Sequence, residues 1–200
     1  MASSSIRRIM QLGVAAAAIV IGLSGGVVAV AHADQTVGKY VVEGRIEAAY
    51  FASGGRRVWG GPTGPEKAAA NGGRYQDFAK DVAFYWSPNA DGGTAHEVGG
   101  AIRSTWKRHG GAKGVLGYPT SNEVQAKNST GAVTAAYSTF QGGVVYWSPL
   151  TGAYPVWGQI LVKWSEAKRE AGTYGYPVAD EQKTATGFSQ RFQNGTITWP

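Results

Sequence analysis

The chain has no cysteine among its 200 residues. That excludes disulfide staples, thiolate metal sites and lipid attachment through a thiol. Histidine is scarce: His32, His96 and His109 are all there is. No two of them stand at metal-ligand spacing, so the sequence offers no metal site and calls for no cofactor. Runs of like charge are missing too. Without a Lys/Arg block there is no stripe to track phosphates, so no nucleic-acid partner is expected. Nor does a sorting motif or apolar tail follow Trp199-Pro200, so retention at an envelope is expected to be non-covalent.

Long apolar runs are also rare, with one exception. Arg7 and Arg8 precede an uncharged apolar stretch from Leu12 to Ala31. It ends in Ala31-His32-Ala33, small residues where a signal peptidase needs them, so residues 1–33 read as a signal peptide cleaved before Asp34. An uncleaved anchor is the rival, since about 20 apolar residues span a bilayer. Membrane contact is expected only in that case. The Arg pair fits twin-arginine export, but Ile6 stands where that motif wants Ser or Thr, and the general secretory route stays open. Residues 34–200 keep 17 basic and 13 acidic side chains, a formal charge of +4. Their length fits one domain with a real core.

What the chain has is a repeat. Three segments open alike: Val42-Glu43-Gly44-Arg45-Ile46, Val98-Gly99-Gly100-Ala101-Ile102 and Val156-Trp157-Gly158-Gln159-Ile160. An aromatic follows each Ile by four: Tyr50, Trp106, Trp164. Then come Gly60-Gly61-Pro62, Gly117-Tyr118-Pro119 and Gly175-Tyr176-Pro177. Four residues past each Pro stands Glu66, Glu123 or Glu181. Each unit closes on Phe then Trp: Phe78 to Trp86, Phe140 to Trp147, Phe192 to Trp199. The units run over about residues 38–93, 94–151 and 152–200, and residues 36–43 look like the tail of an earlier one.

The spacing predicts local structure. Helices begin at Gly44, Gly100 and Gly158, where Ile and the aromatic share a face. Gly54-Gly55, Gly110-Gly111 and Gly172 are expected to end them. Thr63-x-x-Glu66 and Thr120-x-x-Glu123 read as capping boxes opening a short turn or helix. Gly142-Gly143 and Asn194-Gly195 read as hairpin turns, with Lys80-Asp81 and one extra residue in the first copy. The fold class is α+β: helix, Gly-x-Pro turn and β-hairpin three times over, in a closed or capped pseudo-symmetric domain. The helices argue against a β-trefoil.

These landmarks resemble the LGFP repeat family of actinobacterial envelope proteins. The naming motif is Leu116-Gly117-Tyr118-Pro119, looser in Tyr174-Gly175-Tyr176-Pro177 and Trp59-Gly60-Gly61-Pro62. Pro119-Thr120-Ser121-Asn122-Glu123, Phe140-Gln141-Gly142-Gly143 and Tyr146-Trp147-Ser148-Pro149 carry the match further. The resemblance spans residues 38–200. It implies a module beside mycolyltransferase or amidase domains, or alone, that holds proteins at the arabinogalactan–peptidoglycan wall and is not itself catalytic.

Catalytic constellations are weak. His96 fills a slot taken by Tyr40 and Tyr154, which reads as a packing ring, and His109 sits near a helix C-terminus. Gly22-Leu23-Ser24-Gly25-Gly26 matches a nucleophile elbow but lies in the leader. Ser104-Thr105-Trp106-Lys107 and Ser165-Glu166-Ala167-Lys168 match S-x-x-K without its partner motifs. Three equivalent Glu residues supply equivalent environments, whereas acid–base pairs need unlike ones. Glu66, Glu123 and Glu181 therefore read as structural, with Gly44, Gly100, Gly158, Pro62, Pro119 and Pro177. The aromatics are the binding candidates: Trp86, Trp147 and Trp199 at strand ends, Tyr118 and Tyr176 in the turns, each able to stack on a sugar face. The reading is a secreted, wall-associated, non-catalytic module for polysaccharide or peptidoglycan. A secreted esterase or wall hydrolase, and a module steadying another envelope protein, are the alternatives.

Overall fold

A computed structural model of the protein describes residues 34–127 and 130–200, apart from the Lys127 side chain. The expected leader, its cleavage site and the Gly22–Gly26 motif lie outside the described residues. Residues 34–200 form one compact unit. A small antiparallel hairpin, β1 (Gln35–Val37) and β2 (Tyr40–Val42), feeds helix α1 (Gly44–Ala52) and the short α2 (Gly55–Trp59). The first unit then builds a sheet in the order β3 (Lys67–Ala68), β4 (Arg74–Phe78), β5 (Val82–Trp86) and β6 (His96–Gly99). Strand β6 runs into α3 (Gly100–Arg108). The second sheet repeats the order with β7 (Val124–Lys127), β8 (Val133–Phe140), β9 (Gly143–Ser148) and β10 (Gly152–Trp157), and β10 runs into α4 (Gly158–Glu166). The third has β11 (Gln182–Lys183), β12 (Phe188–Phe192) and β13 (Gly195–Trp199). Every pairing is antiparallel. The fourth strand of one sheet is thus the lead-in to the next unit's helix, which stitches neighbours together.

The three nine-residue helices open on Gly44, Gly100 and Gly158, at φ +57°, +48° and +55°. A side chain is strained there, and a Cβ would meet nothing within 4 Å, so backbone conformation and not crowding demands glycine. The far ends differ from expectation in the third unit. Gly54-Gly55 and Gly110-Gly111 leave their helices in the left-handed region, but Lys168-Arg169 do so in the third copy, at φ +66° and +51°. Gly172 lies three residues later, where a Cβ would strike the Ala167 carbonyl.

One contact fixes the turn to the helix in every unit. The helix aromatic donates to the carbonyl of the Gly-x-Pro glycine: Tyr50 Oη to Gly60 at 2.7 Å, Trp106 Nε1 to Gly117 at 2.9 Å, Trp164 Nε1 to Gly175 at 3.1 Å. These three rings are almost fully buried. Each turn Pro also bridges the closing Phe of its unit.

Two local readings need correction. The Thr-x-x-Glu segments open no helix. Thr63 and Thr120 donate their backbone N–H to Asp77 and Thr139 of the middle strand, as Val178 does to Arg191, and each Glu leads directly into an edge strand. The hairpin turns fall one residue earlier than expected. The pairs Phe140↔Gly143 and Phe192↔Gly195 leave Gln141-Gly142 and Gln193-Asn194 as the loops. Their N–H groups donate back to Leu116, Tyr118, Tyr174 and Tyr176 of the Gly-x-Pro turn. The tip is anchored by the turn it touches and does not depend on a free-standing Asn-Gly type I′ geometry.

Side chains alternate across the first two sheets and reach two cores. Val82 and Phe84 of β5 pack with Ile46 and Tyr50 of α1, while Ala83 and Tyr85 join Ile102 and Trp106 of α3. In the next unit Val145 of β9 faces the α3 core, and Val144 and Tyr146 face Ile160 and Trp164 of α4. Tyr85 meets Trp106 edge-on at 4.6 Å, and Tyr146 meets Trp164 the same way at 4.9 Å. An Arg103–Asp77 ion pair, with Lys67 on the same carboxylate, ties α3 to the first sheet. Burial pushes the Asp77 carboxyl up, but hydrogen bonds from Arg103 and Lys67 outweigh it and hold the pKa below the ordinary value.

Candidate functional site

The same three elements line one cleft in each unit: the start of the helix, the repeat Glu and the closing Trp. In the first unit a cleft of about 420 Å³ is walled by Gly44, Arg45, Ile46, Glu66, Arg74 and Trp86. The second, about 310 Å³, has Ala101, Ile102, Glu123, Gln125, Ala136 and Trp147. The third, about 300 Å³, has Gly158, Gln159, Ile160, Glu181, Phe188 and Trp199. The reason is geometric. The Glu sits just before the sheet's first strand and the Trp at the far end of its third, on the edge that the helix start covers. Residues assigned to structure and residues assigned to binding thus share one pocket.

The carboxylates differ in what already holds them. Glu66 is ion-paired with Arg74. Glu123 accepts from Gln125 Nε2 at 2.8 Å. Burial pushes Glu181 above the usual carboxylate range, opposed by a hydrogen bond from Trp157. The indoles differ as well. Trp86 is half-buried and donates to the Gly93 carbonyl at 2.8 Å, Trp147 is half-buried, and Trp199 is 38% exposed with Lys163 Nζ 5.1 Å from its ring centre.

Sequence reasoning missed the cross-strand partners. Arg74, Ala136 and Phe188 pair directly with Trp86, Trp147 and Trp199. The signal was present, because each lies four residues before its unit's closing Phe. They make the first cleft charged, the second open and the third aromatic.

The reading of Tyr118 as a sugar-stacking ring is corrected. Tyr118 is only 2% exposed and its hydroxyl donates to the Ala70 carbonyl of the preceding unit, so it shows no ring face to a sugar. Burial raises its pKa. Tyr176 is half-buried, packed against the third core 6.3 Å from Tyr146. Each is a plug pressed against the sheet before it. Gly61 suffices in the first unit because, among the described residues, no such sheet precedes it. A position that tolerates glycine in the first unit is core in the second and partly buried in the third.

The histidines are held in place. His96 is buried, with Nδ1 3.0 Å from Asn122 Oδ1 and Nε2 2.8 Å from Asp91 Oδ2. His109 ends α3, with Nδ1 2.9 Å from the Thr105 carbonyl and Nε2 3.4 Å from Asp180. Among the described residues no three acidic or imidazole side chains stand close enough to hold a metal. No described helix is long and apolar enough to cross a membrane.

The LGFP repeat family profile matches residues 60–114, 116–172 and 175–200. The chain belongs to the LGFP repeat family. The family frame begins each LGFP unit at or just before the Gly-x-Pro turn, whereas the elements above begin at the preceding helix; the same three landmarks recur in both. No curated protein matches the chain.

Proposed function

We propose that this LGFP repeat protein is a secreted, non-catalytic module that attaches to the cell-wall glycan through one pocket per unit. The observation that carries the reading is the threefold recurrence of an indole, a carboxylate and a helix start in one cleft. An indole face takes the C–H face of a sugar ring, and a carboxylate accepts from its hydroxyls. Cleft volumes of about 300–420 Å³ suit a monosaccharide or two. Several weak sites on one chain multiply into useful avidity along a polymer.

Chemistry fits less well. The three repeat carboxylates lie one to a cleft, so they do not pair with one another as acid and base, and the histidine nitrogens are engaged by side-chain and backbone groups of the protein. The test is co-sedimentation of the purified protein with insoluble actinobacterial wall. The protein should pellet, and the Trp147→Ala, Trp199→Ala double variant should bind at least about tenfold more weakly, some 1.4 kcal/mol, with unchanged circular dichroism. Pelleting no better than a control protein of equal charge would sink the reading.

A further inference from the structure

The departures from repeat symmetry converge on one place. A cavity of about 870 Å³ between the first and second units is lined by Trp59, Lys80, Asp81, Glu97, Asn122 and Glu123. Trp59 stands where the other units have Leu116 and Tyr174. Lys80 and Asp81 belong to the hairpin loop with the extra residue. Glu97 replaces Val41 and Pro155.

A fourth departure lies in the middle strand of the second unit. In the outer units a buried glutamine bridges two carbonyls: Gln76 donates to Val41 and Gly64, Gln190 to Pro155 and Ala179. The second unit has Ser138 there, too short to bridge, and its hydroxyl has no partner. Glu97 Oε1 accepts the Glu123 N–H at 3.1 Å, while its Oε2 is buried without a partner, and the residue is only 4% exposed.

We propose that this cavity is a second subsite, contiguous with the Trp147 cleft through Glu123 and Gln125, that takes a primary ammonium group of the ligand. The inference rests on the glycan-binding reading for the neighbouring cleft. Three carboxyl side chains face a single cation, and Lys80 Nζ is engaged by the Arg57 carbonyl at 3.1 Å. An ammonium brings a donor to Glu97 Oε2, which lacks one, and positive charge to the carboxylates around it. The half-buried Trp59 adds a ring face, its N–H being taken by Ser53 Oγ at 2.8 Å. Among the described residues no three acidic or imidazole side chains stand close enough to hold a metal ion. The ligand class is an amine-bearing wall component: an unacetylated amino sugar or a peptide-linked diamine.

The experiment titrates the full protein with 2-aminoethanol, and with ethylene glycol as its neutral counterpart, following the Trp59 indole and Glu123 backbone N–H signals by NMR. The amine should shift both signals saturably, and the diol should shift neither. Glu97→Gln and, separately, the surface change Asp81→Asn should weaken the amine at least tenfold. Equal response to amine and diol, or an unchanged titration in both variants, would overturn the subsite. Wall co-sedimentation run in parallel separates the two ideas: pelleting without amine binding removes only the subsite, and amine binding without pelleting removes only the glycan reading.

Discussion

Strands β9 and β13 hold the same place in successive units, yet they are buried differently. Every β9 residue but Trp147 is buried, whereas β13 buries Ile197 alone. The difference lies in coverage. The β9 sheet lies between α3 and α4, so both of its faces are core. The β13 sheet is covered by α4 on one face. Side chains follow suit, with Val144-Val145-Tyr146 in one and Thr196-Ile197-Thr198 in the other. A continuous apolar run marks a strand buried on both sides, and alternation marks one buried on a single side.

The comparison breaks hardest at one matched position. Tyr146→Ala should cost about 3–5 kcal/mol, since it empties an aromatic site against Trp164 and Tyr137. Its counterpart Thr198→Ala should stay within about 0.5 kcal/mol. Urea unfolding of both variants measures this, and similar losses would mean that the second face of the β9 sheet contributes little.

A smaller effect separates β6 from β10. Burial raises the Glu97 pKa above its ordinary 4.5, whereas Pro155 at the matching place carries no titrating group. A raised carboxyl favours the folded state while it stays protonated, and this contribution is lost as pH climbs from about 4.5 through the raised value. Glu97→Gln keeps an acceptor for the Glu123 N–H and removes that penalty. The variant should gain stability over the parent at pH 7, and the gain should shrink toward pH 4. A gain that is flat with pH would mean that Glu97 titrates normally.

The smallest effect sharpens the comparison at the helix exits. Lys168 takes the left-handed backbone that Gly54 and Gly110 take elsewhere. Lys168→Gly should raise stability by about 1 kcal/mol, the strain an L-residue carries there, less the entropy that glycine loses on folding. A fall in melting temperature would assign Lys168 a contact that outweighs the strain.

Much of the fold was legible. The Gly–Ile–aromatic spacing located the three nine-residue helices at their first residue but not the short Gly55–Trp59 helix, and Phe-to-Trp spacing located the hairpins. The errors share a cause. Thr63-x-x-Glu66 has the local signature of a cap, but the strand beside it offered backbone partners that local pattern cannot reveal. Tyr118 was misread because its burial depends on the preceding unit's sheet. The site was half legible: Trp86, Trp147 and Trp199 were named for binding, and Glu66, Glu123 and Glu181 for structure, without any sign that they meet.

Sequence alone determined the units, because periodic glycines and aromatics state where a backbone must bend and which face must be dry. Those are local demands on φ and on period. Tertiary structure alone decided what each unit touches. Fourth strands are lent to the next helix, Tyr118 plugs the sheet before it, and Glu97 reaches across to the Glu123 backbone. Such contacts depend on packing between segments about 20 to 50 residues apart in the chain, where spacing within a unit carries no information.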